Sequence, residues 1–410
     1  MPPSGTTGTS ARGWAAVAAL GLAIFTVTTT EIMPIGLLQP MADDLGVSEG
    51  LIGVTVTYVA FVAALAAPTL SAATGRLDRR PLFLVVLAIF AAGNAATALA
   101  PNYAVLVVVR IIIGAGIGLV WAVVAPCAVA QVPPRSAVRA TTIAYTGGSL
   151  ASVLGMPVGT ALGQFLGWQS TYWALAGLSA VTLAALAVLL APTPPSGSSS
   201  LRSLWRTLRL RDLRTVLVIT VLVITGAYAA YTYVTPLMVD GIGIAEHLVS
   251  VLLLVMGAAG VAGNLASGAL LDRITSPRMS LALLVGLLTV ALVAVLASTS
   301  LVPAAIAALL VWSVGYAALP IGLQTTAMRL APADRGAANT LYSTGVNLSI
   351  GLGALAGAFA IDRAGPTAPT VVGMVCALLA LALTFLLPTA GPRRTRAETT
   401  PGAAGDPTAR

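Results

Sequence analysis

The sequence predicts an all-α membrane protein of twelve transmembrane helices, arranged as two six-helix bundles with pseudo-two-fold symmetry. Three observations predict it. The 410 residues are 58% hydrophobic and only 8% charged, whereas a soluble globular chain carries about 25% charged residues. Twelve apolar runs are long enough to cross about 30 Å of hydrocarbon, which takes roughly 20 helical residues. The runs divide six and six around a polar break.

The first six runs lie near 14–38, 50–73, 82–100, 103–130, 140–163 and 170–191. The second six lie near 215–239, 248–271, 279–298, 302–328, 337–361 and 368–388. Residues 1–13 and 389–410 are expected to be disordered, flanking bundles at 14–191 and 215–388. The first run is too long for a cleaved signal peptide and carries Glu31. The break at 192–214, PTPPSGSSSLRSLWRTLRLRDLR, opens as a Pro/Ser/Gly linker. It continues with Leu201, Leu204, Trp205 and Leu208 on one helical face among arginines. That pattern suits an amphipathic helix on an anionic membrane surface; a disordered basic loop is the other reading.

The halves resemble one another. LDR at 77–79 recurs at 271–273, and YTGGSLAS at 145–152 is matched by YSTGVNLS at 342–349. Offsets of 194 and 197 residues indicate a duplicated six-helix unit. Repeated halves place a substrate site between them near mid-membrane, where rocking exposes it to each side in turn.

All 21 basic residues are arginine. With both ends on one side, 19 of the 21 fall in segments on that side, Arg363 falls opposite and Arg110 is embedded. The positive-inside rule then makes both termini cytoplasmic, in a multi-pass protein of the plasma (inner) membrane. Arginines scattered through short gaps do not form the solvated basic face of a nucleic-acid binder. Without lysine no P-loop exists, so the chain does not itself hydrolyse ATP that way. Cys127 and Cys376 lie apart inside apolar runs, and the single histidine, His247, falls in a gap. No metal and no cofactor is expected. An enzyme would need a convergent acid, base or metal cluster, and a sensor would need a soluble domain; neither is expected. The expected partners are a small molecule, protons and lipid, with the chain a monomer.

The run GLAIFTVTTTEIMPIGLLQP, 21–40, holds the carboxylate of Glu31 in apolar surroundings. Run four holds Arg110. At 1.5 Å per residue both lie roughly 10 Å below the same surface. Each charge would cost about 2.5–3.5 kcal/mol at the membrane centre. The two are therefore expected to face one another or a wet crevice. A carboxylate between burial and a nearby cation is poised to exchange a proton. Glu31 is expected to carry that proton and Arg110 to modulate it; a fixed ion pair holding helices 1 and 4 in register is the alternative.

In run five, Gly155, Pro157 and Gly159 combine close helix approach with a bend. They are expected to pack and to control access. The loop GRLDRRP, 75–81, contributes Asp78 and Arg79, whose charges can pair with helix ends and hold one state closed. Polar and aromatic residues within runs are candidates for a cavity wall: Tyr58, Trp121, Tyr145, Tyr228, Tyr231, Asn264, Gln324 and Asn347. An amide in lipid needs a partner, so these are expected to face inward.

Six plus six runs, a central basic loop and an embedded arginine followed by GAGIG at 114–118 resemble the major facilitator superfamily. TTEIMPIGLLQPMADDLGVS at 29–48 and LGMPVGTALGQFLGW at 154–168 resemble its drug:proton antiporter branch, and within it sugar efflux transporters. The resemblance covers about 14–388 and implies a central cavity, alternating access and proton-driven export. It implies that Glu31 is the acidic residue of helix 1, Arg110 the arginine of helix 4, and Gly155, Pro157 and Gly159 the helix 5 antiporter motif. Two departures stand out. Met156 separates Gly155 from Pro157, with Thr160 after Gly159. In the loop motif Gly75 stands where an aspartate belongs, whereas the second half keeps Gly268, Leu270, Asp272 and Arg273. The inner gate of the first half is therefore expected to latch differently. The function expected is proton-coupled export of sugars, related metabolites or drugs; a uniporter or a proton-symport importer of the same fold is the alternative.

Overall fold

The computed structural model describes residues 11–73, 77–193, 201–274 and 276–387. The described residues are helical and contain no strand. The first half comprises α1 (Ala11–Gly36), the short α2 (Leu38–Leu45), α3 (Glu49–Ala73), α4 (Arg79–Ala98), α5 (Tyr103–Ala130), α6 (Ala137–Leu150), α7 (Met156–Leu166) and α8 (Trp168–Leu189). After the linker helix α9 (Leu201–Leu208) come α10 (Arg211–Thr232), a single turn α11 (Val234–Pro236), α12 (Glu246–Arg273), α13 (Pro277–Ala297), α14 (Val302–Leu330), α15 (Arg335–Ala364) and α16 (Ala368–Thr384). Among the described residues, eleven helical spans are long and apolar enough to cross a membrane. The twelfth expected run forms α16, apolar but only 17 residues long.

Local chemistry sets the helix starts. Asp78 accepts from the Arg80 amide at 2.8 Å, Asn102 from Val105 at 3.1 Å and Asp334 from Ala337 at 3.0 Å. Each satisfies an orphaned amide at a helix N-terminus. Run five is a single span built of α6, a π-helical turn (Ala151–Gly155) and α7. Pro157 has no N–H for the carbonyl four residues back, and the widened turn absorbs that break.

The same helix pairs pack in each half. In the first, α1 lies on α6, α3 on α5, α4 on α5 and on α8. In the second, α10 lies on α15, α12 on α14, α13 on α14 and on α16. These pairings match in order along the chain, as a duplicated unit requires. Each half has its own apolar core, one around Phe83, Phe90 and Ile117, the other around Leu281, Leu288 and Trp312. Outward-facing Leu65, Val181, Val290 and Leu386 are exposed, as lipid-facing side chains must be.

The halves meet along two seams, α3 against α15 and the α7 segment against α12. The bonds across them gather at the end away from the linker helix. Ser48 donates to Asp362 at 3.0 Å, Thr235 to the Ile35 carbonyl at 3.0 Å, and Gln164 to the Glu246 carbonyl at 2.9 Å. Tyr233 donates to Ala354 within its own half and to the Gly50 carbonyl across the seam, at 3.0 and 3.4 Å. An apolar cluster drawn from both halves, Met33, Leu37 and Ile52 with Tyr233 and Ala358, backs these bonds. Residues Leu201–Leu208 form the linker helix, in which, among the described side chains, Thr207 is buried and Trp205 faces out. Ser203 and Arg206 meet Asp334 at the start of α15.

Candidate functional site

Between the halves lies a cavity of about 550 Å³. Its first-half wall carries Thr28, Trp121, Tyr145 and Ser149, and its second-half wall Tyr231, Asn264, Trp312 and Tyr316. A second cavity of about 680 Å³ shares Tyr145, Ser149 and Asn264 with it. That one is lined by Val129, Ala137, Thr141 and Thr142 at the linker end of α5 and α6. The void therefore runs from mid-bundle toward the linker end, while the far end is bonded shut.

Of the expected wall residues, Trp121, Tyr145, Tyr231 and Asn264 line this void. Tyr228 packs behind it, edge-on to Tyr231 and Tyr316 with ring centroids 6.2 and 6.0 Å apart. Three residues stand elsewhere. Tyr58 lies beside Tyr103. Gln324 bonds Asn339 at 2.7 Å, and Asn347 bonds the Ser343 carbonyl of its own helix at 3.0 Å. Those amides find partners locally, so burial alone did not place them on the cavity.

Arg110 is fully buried. Its Nη1 donates to the Thr30 carbonyl at 3.0 Å, its Nη2 donates to the Tyr172 hydroxyl, and the guanidinium lies 5.2 Å from the Tyr172 ring centroid. Asn94 donates to the Thr30 hydroxyl at 3.0 Å. The expected meeting of charges does not occur: among the described residues Glu31 and Arg110 form no ion pair within 4 Å, and Glu31 makes no hydrogen bond. The reason is helical geometry. Successive residues point about 100° apart at 3.6 residues per turn. Thr30 points at Asn94 and Arg110 inside the first half. Glu31, half-buried, lies within electrostatic reach of Tyr228 and Tyr316 across the seam.

Gly155, at the end of the π-helical turn, and Gly159 in α7 bracket that position. A Cβ on Gly155 would come within 2.9 Å of Thr29 Cγ2, and one on Gly159 within 2.6 Å of Met33 Sδ. Pro157 is buried between them. Asp78 does not reach the other half. It accepts from the amides of Arg80 and Thr193, at 2.8 and 3.0 Å, while the Arg79 amide donates to the Thr193 carbonyl at 3.0 Å. Its carboxylate is taken up by its own helix start and by the chain leaving α8. Asp272 and Arg273 close α12, with side chains outside the described ones, and Gly75 lies outside the described residues.

Several site residues escaped sequence reading. Trp312 and Tyr316 are four apart on α14, a spacing that puts both on one face. Thr30 is four residues before Pro34, so its carbonyl was identifiable as an orphan. Nothing in the sequence singled out Tyr172 or Asn94.

Two pseudo-symmetric helical halves, a cavity between them open toward one end, and embedded charges define a membrane transporter that works between its halves. The chain belongs to the Major Facilitator Superfamily, which it matches over residues 20–354. It is thus a multi-pass membrane transport protein. Its fold is similar to that of a bacterial homologue of the human lysosomal transporter Spinster, solved in an inward-facing and unoccupied conformation. The TM-score is 0.74 at 15% identity, covering 92% of this chain and 97% of that one. It is also similar to the human organic anion transporter MFSD10 (TETRAN), with TM-score 0.64 and 20% identity over 91% of this chain and 99% of that one.

Proposed function

We propose that the chain is a proton-coupled exporter of small molecules, of the drug:proton antiporter kind, with Glu31 as the proton carrier. The observation that carries this reading is the isolation of Glu31. It sits mid-bundle beside the seam and has no counter-ion among the described residues. Ionisable groups placed so within a membrane mark ion pathways. Arg110 acts on it through the chain: it fixes the carbonyl of Thr30 and thereby the stretch of α1 that aims Glu31. The titratable side chains that feel Glu31 across the seam are Tyr228 and Tyr316.

The linker end is cytoplasmic on this reading, as the arginine distribution requires, and both termini lie there in the plasma membrane. The bundles are placed at 14–191 and 215–388. The cavity then opens to the cytoplasm, ready to load cargo for export. Gly155, Pro157 and Gly159 carry the moving surface against α1. Asp78 and Arg79 hold the base of the first half, and Asp272 and Arg273 occupy the matching turn of the second.

The test is uptake into inside-out vesicles under an imposed pH gradient, screened over aromatic ketones, sugars and nucleosides. Gradient-dependent accumulation of any class supports the antiporter. Accumulation indifferent to the gradient marks a uniporter, and accumulation in the reverse orientation marks an importer.

A further inference from the structure

The walls of the cavity say what kind of cargo fits. On the first-half side, Trp121 and Tyr145 stack nearly parallel, with centroids 5.9 Å apart and an interplanar angle of 9°. On the second-half side, Tyr231 and Tyr316 stack with centroids 4.9 Å apart at 17°, and Trp312 meets Tyr231 edge-on at 79°. Two flat aromatic surfaces thus face one void of about 550 Å³, the size of a drug-sized ligand's pocket. None of the described residues lining it carries a formal charge.

We propose, resting on the transport reading above, that this cavity selects flat aromatic molecules and rejects sugars. Two physical arguments lead there. A sugar brings a donor and two acceptor sites on every hydroxyl, and each one buried without a partner costs about 1–3 kcal/mol. The wall is mostly apolar, and its polar groups are those of Thr28, Ser149, Ser152, Asn264 and Ser313 with the single ring heteroatoms of Trp121, Tyr145, Tyr231, Trp312 and Tyr316. Of these Ser152 already donates to the Gly148 carbonyl at 3.4 Å, and the Tyr231 hydroxyl is turned to Met156 Sδ at 3.4 Å. A planar aromatic loses little water and gains stacking on both walls, about 0.5–1.5 kcal/mol per ring pair beyond burial.

Tyr145 occupies the position that sets this selection. It lines both cavities, and the residue is 38% exposed. Beyond it the entrance is lined by the hydroxyls of Thr141, Thr142 and Thr146. A cargo moving inward leaves this hydroxylated mouth and must slide over Tyr145 to reach the aromatic walls.

The experiment is equilibrium binding to the purified full chain in lipid nanodiscs, with no pH gradient. The probes are tritiated flavone as the flat aryl ketone and lactose as the sugar. Flavone is expected to bind, and lactose at equal concentration is not expected to displace it. Tyr145→Leu and Trp121→Leu are each expected to weaken flavone at least tenfold, whereas Tyr145→Phe, which keeps the ring, should stay within twofold. Absence of flavone binding to the native chain, tighter binding of lactose, or undiminished flavone binding in both leucine variants would overturn the proposal. Because no gradient is applied, the outcome is independent of whether Glu31 carries the proton.

Discussion

Arg110 donates from Nη1 to the carbonyl of Thr30, 3.0 Å away, and Thr30 is the residue four before Pro34 in α1. Proline has no N–H with which to close that helical bond. The buried guanidinium therefore supplies a donor that the proline removed. The same contact fixes the backbone one residue from Glu31, so a structural repair and the aim of the embedded carboxylate are one arrangement.

A double-mutant cycle tests this relationship. Arg110→Met leaves the Thr30 carbonyl without its charged donor, and should destabilise the purified protein by about 1–3 kcal/mol. Pro34→Ala restores an amide at that point of the helix. Combined with Arg110→Met, it should recover part of the loss, visible as non-additive midpoints in thermal melting. Additive effects would show that the two residues act apart.

The approach of the π-helical turn before α7 to α1 leaves no room at Gly155. Gly155→Ala puts a methyl within 2.9 Å of Thr29 Cγ2, an overpacking that typically costs about 1–3 kcal/mol. Adding Thr29→Ala removes the obstructing atoms and should restore both stability and transport. A Gly155→Ala variant as stable and active as the parent would show that the two helices separate freely there.

At the sealed end, Asp362 accepts from the Ser48 hydroxyl at 3.0 Å, and Ser48 in turn accepts from the Leu51 amide at 3.2 Å. A carboxylate of one half thus sits at the amino end of a helix of the other, where a negative charge is worth about 0.3–1 kcal/mol. Asp362→Asn should shift the open-to-closed ratio of this end by about two- to fivefold. Spin labels on Pro101→Cys and Ser300→Cys, exposed in far-end loops of the two halves, would report it as a larger long-distance population in electron–electron resonance. An unchanged distribution would remove Asp362 from the latch.

Much of the fold was legible because hydrocarbon imposes it. A span needs an unbroken apolar run, so twelve runs and a polar break marked the helices, and repeated motifs marked the duplication. The aromatic wall was half legible: Trp121, Tyr145 and Tyr231 are conspicuous inside apolar runs, but Trp312 and Tyr316 passed unremarked. Direction was the harder quantity. Matching depth suggested that Glu31 and Arg110 would meet, yet depth says nothing about which side of α1 a residue occupies. One helical step separates Thr30, which Arg110 reaches, from Glu31, which it does not bond. Gln324 and Asn347 show the same limit, since a buried amide satisfied by its neighbour leaves no trace in the sequence of where it points.

The most direct test compares the native chain with Glu31→Gln in two assays on the same proteoliposomes, using a compound the native chain transports. In counterflow, where no gradient is applied, the variant should still exchange that compound, showing that cavity and rocking survive. Under an imposed pH gradient it should lose at least tenfold of the driven accumulation. Full gradient-driven accumulation in Glu31→Gln would contradict the account, because the proton would then be travelling by another group.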